Sequence, residues 1–299
     1  VAERLEDLLA SWRRSLRGAD KAERTVAIYT QSVRFFADWL TAHDRPATMN
    51  ELNRHAIAGW LADLADAGQS GNTLATRFRG MRRFCRWLVV EGELPVSPMQ
   101  GMEQPKAAPK PVPVLTDEDV TALFKACAGP EFRDRRDTAI LRVLFDCGLR
   151  ISECARLTLE DLDLDDLEVL RVTGKGRKIR IVPFGRKTAA SLDKYLRARR
   201  DHKHADEPAL WLGERGPLKT DGIDERLRVR GRQAGIDGLH AHRFRHTAAH
   251  TWLAAGGGEQ DLKRIMGWSS DAMLAVYGAS AAEARAREAF QRMRLGDRL

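Results

Sequence analysis

No apolar run in the sequence approaches the roughly 20 residues that a membrane-spanning helix needs, and the opening stretch VAERLEDLLASWRRS lacks the apolar centre of a secretory signal. Both absences exclude a membrane-inserted protein and lead to the expectation of a cytoplasmic one. The richness in Ala, Arg and Asp points to a GC-rich bacterial or phage genome. Cysteine is sparse: Cys85, Cys127, Cys147 and Cys154 stand in apolar segments with no CxxC pair, which excludes a disulfide framework and predicts reduced, packed thiols. Carboxylates are missing or nearly missing from two stretches. Asn72 to Val90 holds Arg77, Arg79, Arg82, Arg83 and Arg86 with no acid, and residues 171–200 hold eleven Lys/Arg against the single acid Asp193. Tyrosine is scarce as well, with three in 299 residues: Tyr29, Tyr195 and Tyr277.

The chain is long enough for two domains of ordinary size, each with its own core. Its net charge of +8 suggests a polyanion as partner. The distribution says more than the total. Residues 1–105 are almost neutral, with 14 Lys/Arg against 13 Asp/Glu, so the two acid-poor stretches are separate positive surfaces and fit a clamp around nucleic acid. KAAPKPVP at 106–113 has no apolar periodicity and reads as an extended linker. The expected division is a helical domain over 1–105, the linker, and a second domain over 114–299.

Periodicity supplies the elements. In AERTVAIYTQSVRFFADWLTAH, Val26, Tyr29, Val33, Phe36 and Leu40 form one helical stripe, and in NTLATRFRGMRRFCRWLVVEG, Leu74, Phe78, Met81, Cys85 and Leu88 form another with the arginines on a second face. Thr116 followed by Asp119 predicts a capping box. RRDTAILRVLFDCG reads as a helix stopped by Gly148, LRISECARL as a tight turn into the next helix, and EVLRVTGKGRKIRIVPFG as a β-hairpin turning at Gly174 and Gly176. From Thr188 onward the pattern is again helical, and SAAEARAREAFQRMRL predicts a separate C-terminal amphipathic helix. The fold class expected is mainly α with a small β-sheet.

LHAHRFRHTAAH, residues 239–250, holds half of the chain's eight histidines. A metal site is the first reading to test. His246 and His250 have the i, i+4 spacing of zinc ligands, yet the glutamate of HExxH is missing and no cysteine is nearby. Arg243 and Arg245 would repel a divalent cation, so the stretch favours an anion. On a helix His242 and Arg245 share a face, pairing a group that moves protons near neutral pH with a planar fork that fits phosphate oxygens. GKG at 174–176 is followed by neither Ser nor Thr and is not a P-loop.

GLRISE, GKGRKIRIVP, HRFRHT and a GW followed nine residues later by Tyr resemble, in that order, the signature of the tyrosine recombinase (phage integrase) family. The resemblance spans nearly the whole second domain, and the first is similar to the family's helical, SAM-like core-binding domain, without an extra arm-binding domain ahead of it. It implies an α+β catalytic domain and a site-specific recombinase that cuts and rejoins double-stranded DNA through a 3′-phosphotyrosyl intermediate and a Holliday junction, with no cofactor, metal or ATP. It implies Tyr277 as nucleophile, Arg150 and Arg245 on the scissile phosphate, Lys175 as general acid with Lys178 as alternative, His242 as base, and Glu153 as an orienting group near His242 or Lys175. Trp268 stands where many members have histidine; an indole donates a hydrogen bond but shuttles no proton, and it favours a mobile-element enzyme over a housekeeping one. Arg77, Arg79, Arg82, Arg83 and Arg86 are the expected DNA-binding residues of the first domain. The partners implied are paired core half-sites, a homotetramer on DNA built from a monomer, and accessory proteins, with the C-terminal helix either exchanged between subunits or folded back. The alternatives are a silent DNA-binding protein of this fold and a type IB topoisomerase-like enzyme.

Overall fold

The computed structural model describes residues 3–106, 113–271, 273–274, 286–287 and 290–292. It forms two compact units, Val1–Lys110 and Pro111–Leu299. The linker expected at 106–113 and the helix expected from Ser280 fall mostly outside the described residues.

The first unit is helical: α1 (Leu5–Gly18), α2 (Glu23–Ala42), α3 (Arg54–Asp66) and α4 (Gly71–Val90). Ser70 starts α4 by accepting a hydrogen bond from the Thr73 amide, and Asn53 does the same for α3 through Ala56. The expected stripes are the packed ones. Val26, Val33, Phe36 and Leu40 of α2 meet Phe78, Met81, Cys85 and Leu88 of α4 in one core with Trp12 and Trp60. Tyr29 and Leu74, at the stripe edges, are only partly covered. Packing one face of α4 leaves Arg79, Arg82, Arg83 and Arg86, spaced three and four apart, on its exposed side.

The second unit begins with α5 (Asp117–Ala126), whose Thr116–Asp119 capping box is formed as expected, and continues through α6 (Phe132–Cys147) and the one-turn α7 (Ile151–Ala155). A three-stranded antiparallel sheet follows, β1 (Leu162–Asp163), β2 (Val169–Thr173) and β3 (Ile179–Pro183). Next come α8 (Arg186–Arg200), a small β4–β5 hairpin (Leu212–Gly213, Gly216–Pro217), α9 (Thr220–Gln233), α10 (Ala241–Ala254) and α11 (Glu259–Met266). In the register Leu170↔Val182 and Val172↔Arg180, Leu170, Val172 and Val182 are buried, while Arg171, Thr173, Ile179 and Ile181 are exposed. The four cysteines are buried free thiols. Among the described residues no helix is long and apolar enough to cross a membrane.

Two features correct the expectation that the basic residues of 171–200 form one outer surface. Arg199 is buried and donates to the carbonyls of Ala205, Glu207, Ala209 and Leu210, and Arg180 faces inward. A larger ionic group ties α6 to α9: buried Asp137 accepts from Arg136, Arg226 and Arg230, and Arg230 also reaches Asp134. Removing the centre of such a group strands buried charge, so Asp137→Ala is expected to lose about 3–5 kcal/mol in chemical denaturation. A loss below about 1 kcal/mol, the scale of an exposed pair, would contradict that reading.

Candidate active site

The site is built where α6, α7, the β2–β3 hairpin, α10 and the end of α11 come together. Gly148 ends α6 in the left-handed region, φ 57°, where a Cβ would also meet Met266 Cε at 2.5 Å. This turn delivers Arg150 to the start of α7. There the Glu153 carboxylate accepts from the Arg150 amide at 3.0 Å and from Arg150 Nη1 at 2.9 Å. Arg150 is partly exposed, whereas Glu153 is 3% exposed.

Glu153 has a second partner that the sequence reading missed. Arg180 donates from Nη1 and Nη2 to the two carboxylate oxygens at 3.1 and 2.9 Å, and from Nε to the Ile265 carbonyl at 2.7 Å. Among the described side chains, Glu153 therefore binds two arginines, Arg150 and Arg180. Burial opposes its ionisation, but the hydrogen bonds and charges of Arg180 and Arg150 outweigh that and bring it down to about 2. The signal was present in the sequence: alternation from Val182 puts Arg180 on the inward face, and a buried guanidinium requires an acceptor.

Arg245, on the first turns of α10, is 2% exposed. It donates to the Gly148 carbonyl at 2.7 Å and the Met266 carbonyl at 2.6 Å, and its guanidinium lies 5.5 Å from the centre of the buried Trp268 ring. One side chain therefore joins the turn before Arg150 to the turn before Trp268. His242 is exposed one turn earlier. Loss of water on its covered side, then His240, Arg245 and Arg150, hold its imidazole below the usual range, so it is neutral at pH 7. Buried His246 stacks edge-on against it at 4.8 Å and is brought down to about 4 by burial and by His242, Arg245 and His240.

Arg150, Lys178, Arg180, Lys263, Arg264 and Trp268 line a cleft of about 580 Å³ together with Gly174, Gly176, Ile179, Gly267 and Ser269, with five cationic side chains among the described residues. Lys175 begins the turn between β2 and β3, whose backbone is described and whose Lys175 side chain is not. Tyr277 lies outside the described residues. In the first unit Arg79, Arg82, Arg83 and Arg86 line a basic pocket together with Tyr29. Arg77 stands apart from them, its guanidinium 4.3 Å from the Phe35 ring. Among the described residues, no three His, Cys, Asp or Glu side chains gather as a metal site.

The family model described as "Phage integrase family" matches residues 113–284, and that of the "Phage integrase, N-terminal SAM-like domain" matches 9–92. The chain is 33% identical over 267 residues to tyrosine recombinase XerC of Chromobacterium violaceum, covering 87% of this chain and 86% of the relative. It belongs to the phage integrase family of tyrosine recombinases. Tyrosine recombinase XerD of Pseudomonas putida is 32% identical over 261 residues, with 86% of each chain covered. Among solved structures, XerH site-specific recombinase bound to palindromic difH substrate superposes with a TM-score of 0.75 at 15% identity, covering 95% of this chain and 84% of that one. A lambda integrase dimer bound to a COC′ core site gives 0.72 at 14% identity, covering 92% and 77%. These two share the recombinase fold, mainly α with small antiparallel sheets. The family's activity is site-specific cleavage and rejoining of DNA.

Proposed function

We propose that this recombinase cuts one strand at a time within paired half-sites of double-stranded DNA and rejoins it to a partner strand, using the side chains gathered around Arg150 and Arg245. The observation that carries this reading is that Arg245, bonded to the Gly148 and Met266 carbonyls, joins the turn before Arg150 to the turn before Trp268 beside a cleft lined by Arg150, Lys178, Arg180, Lys263 and Arg264. Such a cleft favours the charge that builds on a phosphate as it becomes pentacoordinate. The Tyr277 oxygen attacks phosphorus, the bond to the 5′ oxygen breaks, and the product is a 3′-phosphotyrosyl protein with a free 5′ hydroxyl. His242 takes the phenolic proton. Lys175, or Lys178 on the same turn, returns a proton to the leaving oxygen. Trp268 packs beside Arg245 and carries no proton. The retained ester energy drives rejoining, so neither ATP nor a metal enters the balance.

Arg79, Arg82, Arg83 and Arg86 supply phosphate contacts from the first unit, with Arg77 a weaker candidate because it is occupied on Phe35. The working unit is a homotetramer on two sites in a bacterial cytoplasm, assembled through the C-terminal segment after Tyr277. The experiment is single-turnover cleavage of a nicked suicide substrate, which traps the covalent adduct, measured against pH. A base must be deprotonated to act, and the His242 pKa is lowered from its ordinary 6.5. Cleavage should therefore hold as pH falls to 6.5 and decline only below it. His242→Ala should remove that limb and lower the plateau on the order of 10²- to 10⁴-fold. An unchanged limb in His242→Ala would assign the proton transfer elsewhere.

A further inference from the structure

We infer that Arg180 is a positioning residue for cleavage, holding Arg150 in place through Glu153 and fastening the β2–β3 hairpin to the segment that leads into Trp268. The inference rests on the function proposed above and extends it to a residue that does not itself touch the phosphate. Three observations support it. Arg180 sits on the inward face of β3, opposite Val172, with its side chain 13% exposed, where its donors need protein acceptors. Its two terminal nitrogens grip both oxygens of Glu153, the same carboxylate that receives the Arg150 amide and Nη1. Its Nε holds the Ile265 carbonyl, two residues before Gly267.

Gly267 adds an independent sign of close fitting. It ends α11 at φ 62°, and a Cβ on it would stand 3.2 Å from Arg180 Cδ, Nε and Cζ. The guanidinium thus lies against the backbone immediately before Trp268. One side chain joins α7, the hairpin that bears Lys175 and Lys178, and the end of α11. A planar fork with a third donor at right reach makes these bonds together; a lysine ammonium keeps the charge but cannot span them. Without the fork, Glu153 keeps only its Arg150 bonds, and the pair is free to swing away from the phosphate. A displacement of about 1 Å at such a group is enough to cost on the order of 100-fold in rate.

The test uses the full chain, with Arg180→Lys, Glu153→Gln and the double variant, each measured for DNA affinity by fluorescence anisotropy and for single-turnover adduct formation on the nicked substrate. Expected is a loss on the order of 100-fold in cleavage for Arg180→Lys with affinity changed less than about threefold, and a double variant no worse than the poorer single one. Multiplying losses in the double variant, a loss in affinity equal to the loss in rate, or cleavage within about threefold of wild type would overturn the proposal. Gly267→Ala is the second variant, because it leaves Arg180 in the chain but intrudes on its guanidinium. Should Arg180→Lys fail to fold, Gly267→Ala decides: slowed cleavage at unchanged affinity supports the role, and unaltered cleavage refutes it. Failure of the underlying function would look different, since wild-type protein would then form no adduct at all.

Discussion

Tyr277→Phe abolishes the covalent protein–DNA adduct while leaving DNA affinity within about twofold. The substitution removes one oxygen and no ring contact, so an effect on the adduct without one on binding isolates the nucleophile. Loss of a nucleophile that acts with a base and an electrostatic clamp costs at least about 10⁴-fold, which places the variant below detection in a suicide-substrate assay. The other two tyrosines are poor substitutes. Tyr195 is fully buried, donates to the Leu210 carbonyl and accepts from the Leu212 amide, and burial pushes its phenol up to about 12. Tyr29 belongs to the first unit, partly covered and stacked 6.5 Å from Trp12. Adduct formation that survives Tyr277→Phe would remove the proposed nucleophile.

Arg245→Lys is expected to slow cleavage on the order of 10²- to 10³-fold, as loss of a preorganised donor to a developing oxyanion does. DNA affinity should change much less, because phosphate contacts along the whole duplex set it. The substitution also has a structural cost. Arg245 is buried, and the Gly148 and Met266 carbonyls it holds would each lose a donor, for about 1–3 kcal/mol apiece if left unsatisfied. A thermal melt run beside the cleavage assay separates the two effects: a folded protein at the assay temperature with slowed cleavage supports the clamp. A folded variant that cuts at the wild-type rate would reduce Arg245 to a packing residue.

Much of the fold was legible because local rules and tertiary packing agree here. The α2 and α4 stripes, the Thr116 capping box, the left-handed Gly148 and the hairpin over 169–183 each follow from side-chain type and spacing. The network at Asp137 was not legible, because two of its three arginines, Arg226 and Arg230, lie about 90 positions away on α9 and pair with it only once α6 and α9 pack. Arg180 is an intermediate case. The alternation of β3 points it inward, but its acceptors, Glu153 and the Ile265 carbonyl, come from two other elements. Arg77 looked equivalent to the arginines that follow it, yet it falls beside Phe35 rather than on the outer stripe. At the site, the order of motifs named Arg150, His242, Arg245 and Trp268, while what each one holds on to emerged only from the folded chain.

The central claim is that one tyrosine of the second unit becomes joined to the 3′ phosphate of a cut DNA strand. Proteolysis of the trapped adduct followed by mass spectrometry of the DNA-linked peptide tests it directly. The expected peptide contains Tyr277 esterified to a 3′ phosphate, formed equally well with a metal chelator present. Linkage through Tyr29, Tyr195 or a 5′ phosphate, or an adduct that disappears with the chelator, would contradict the account.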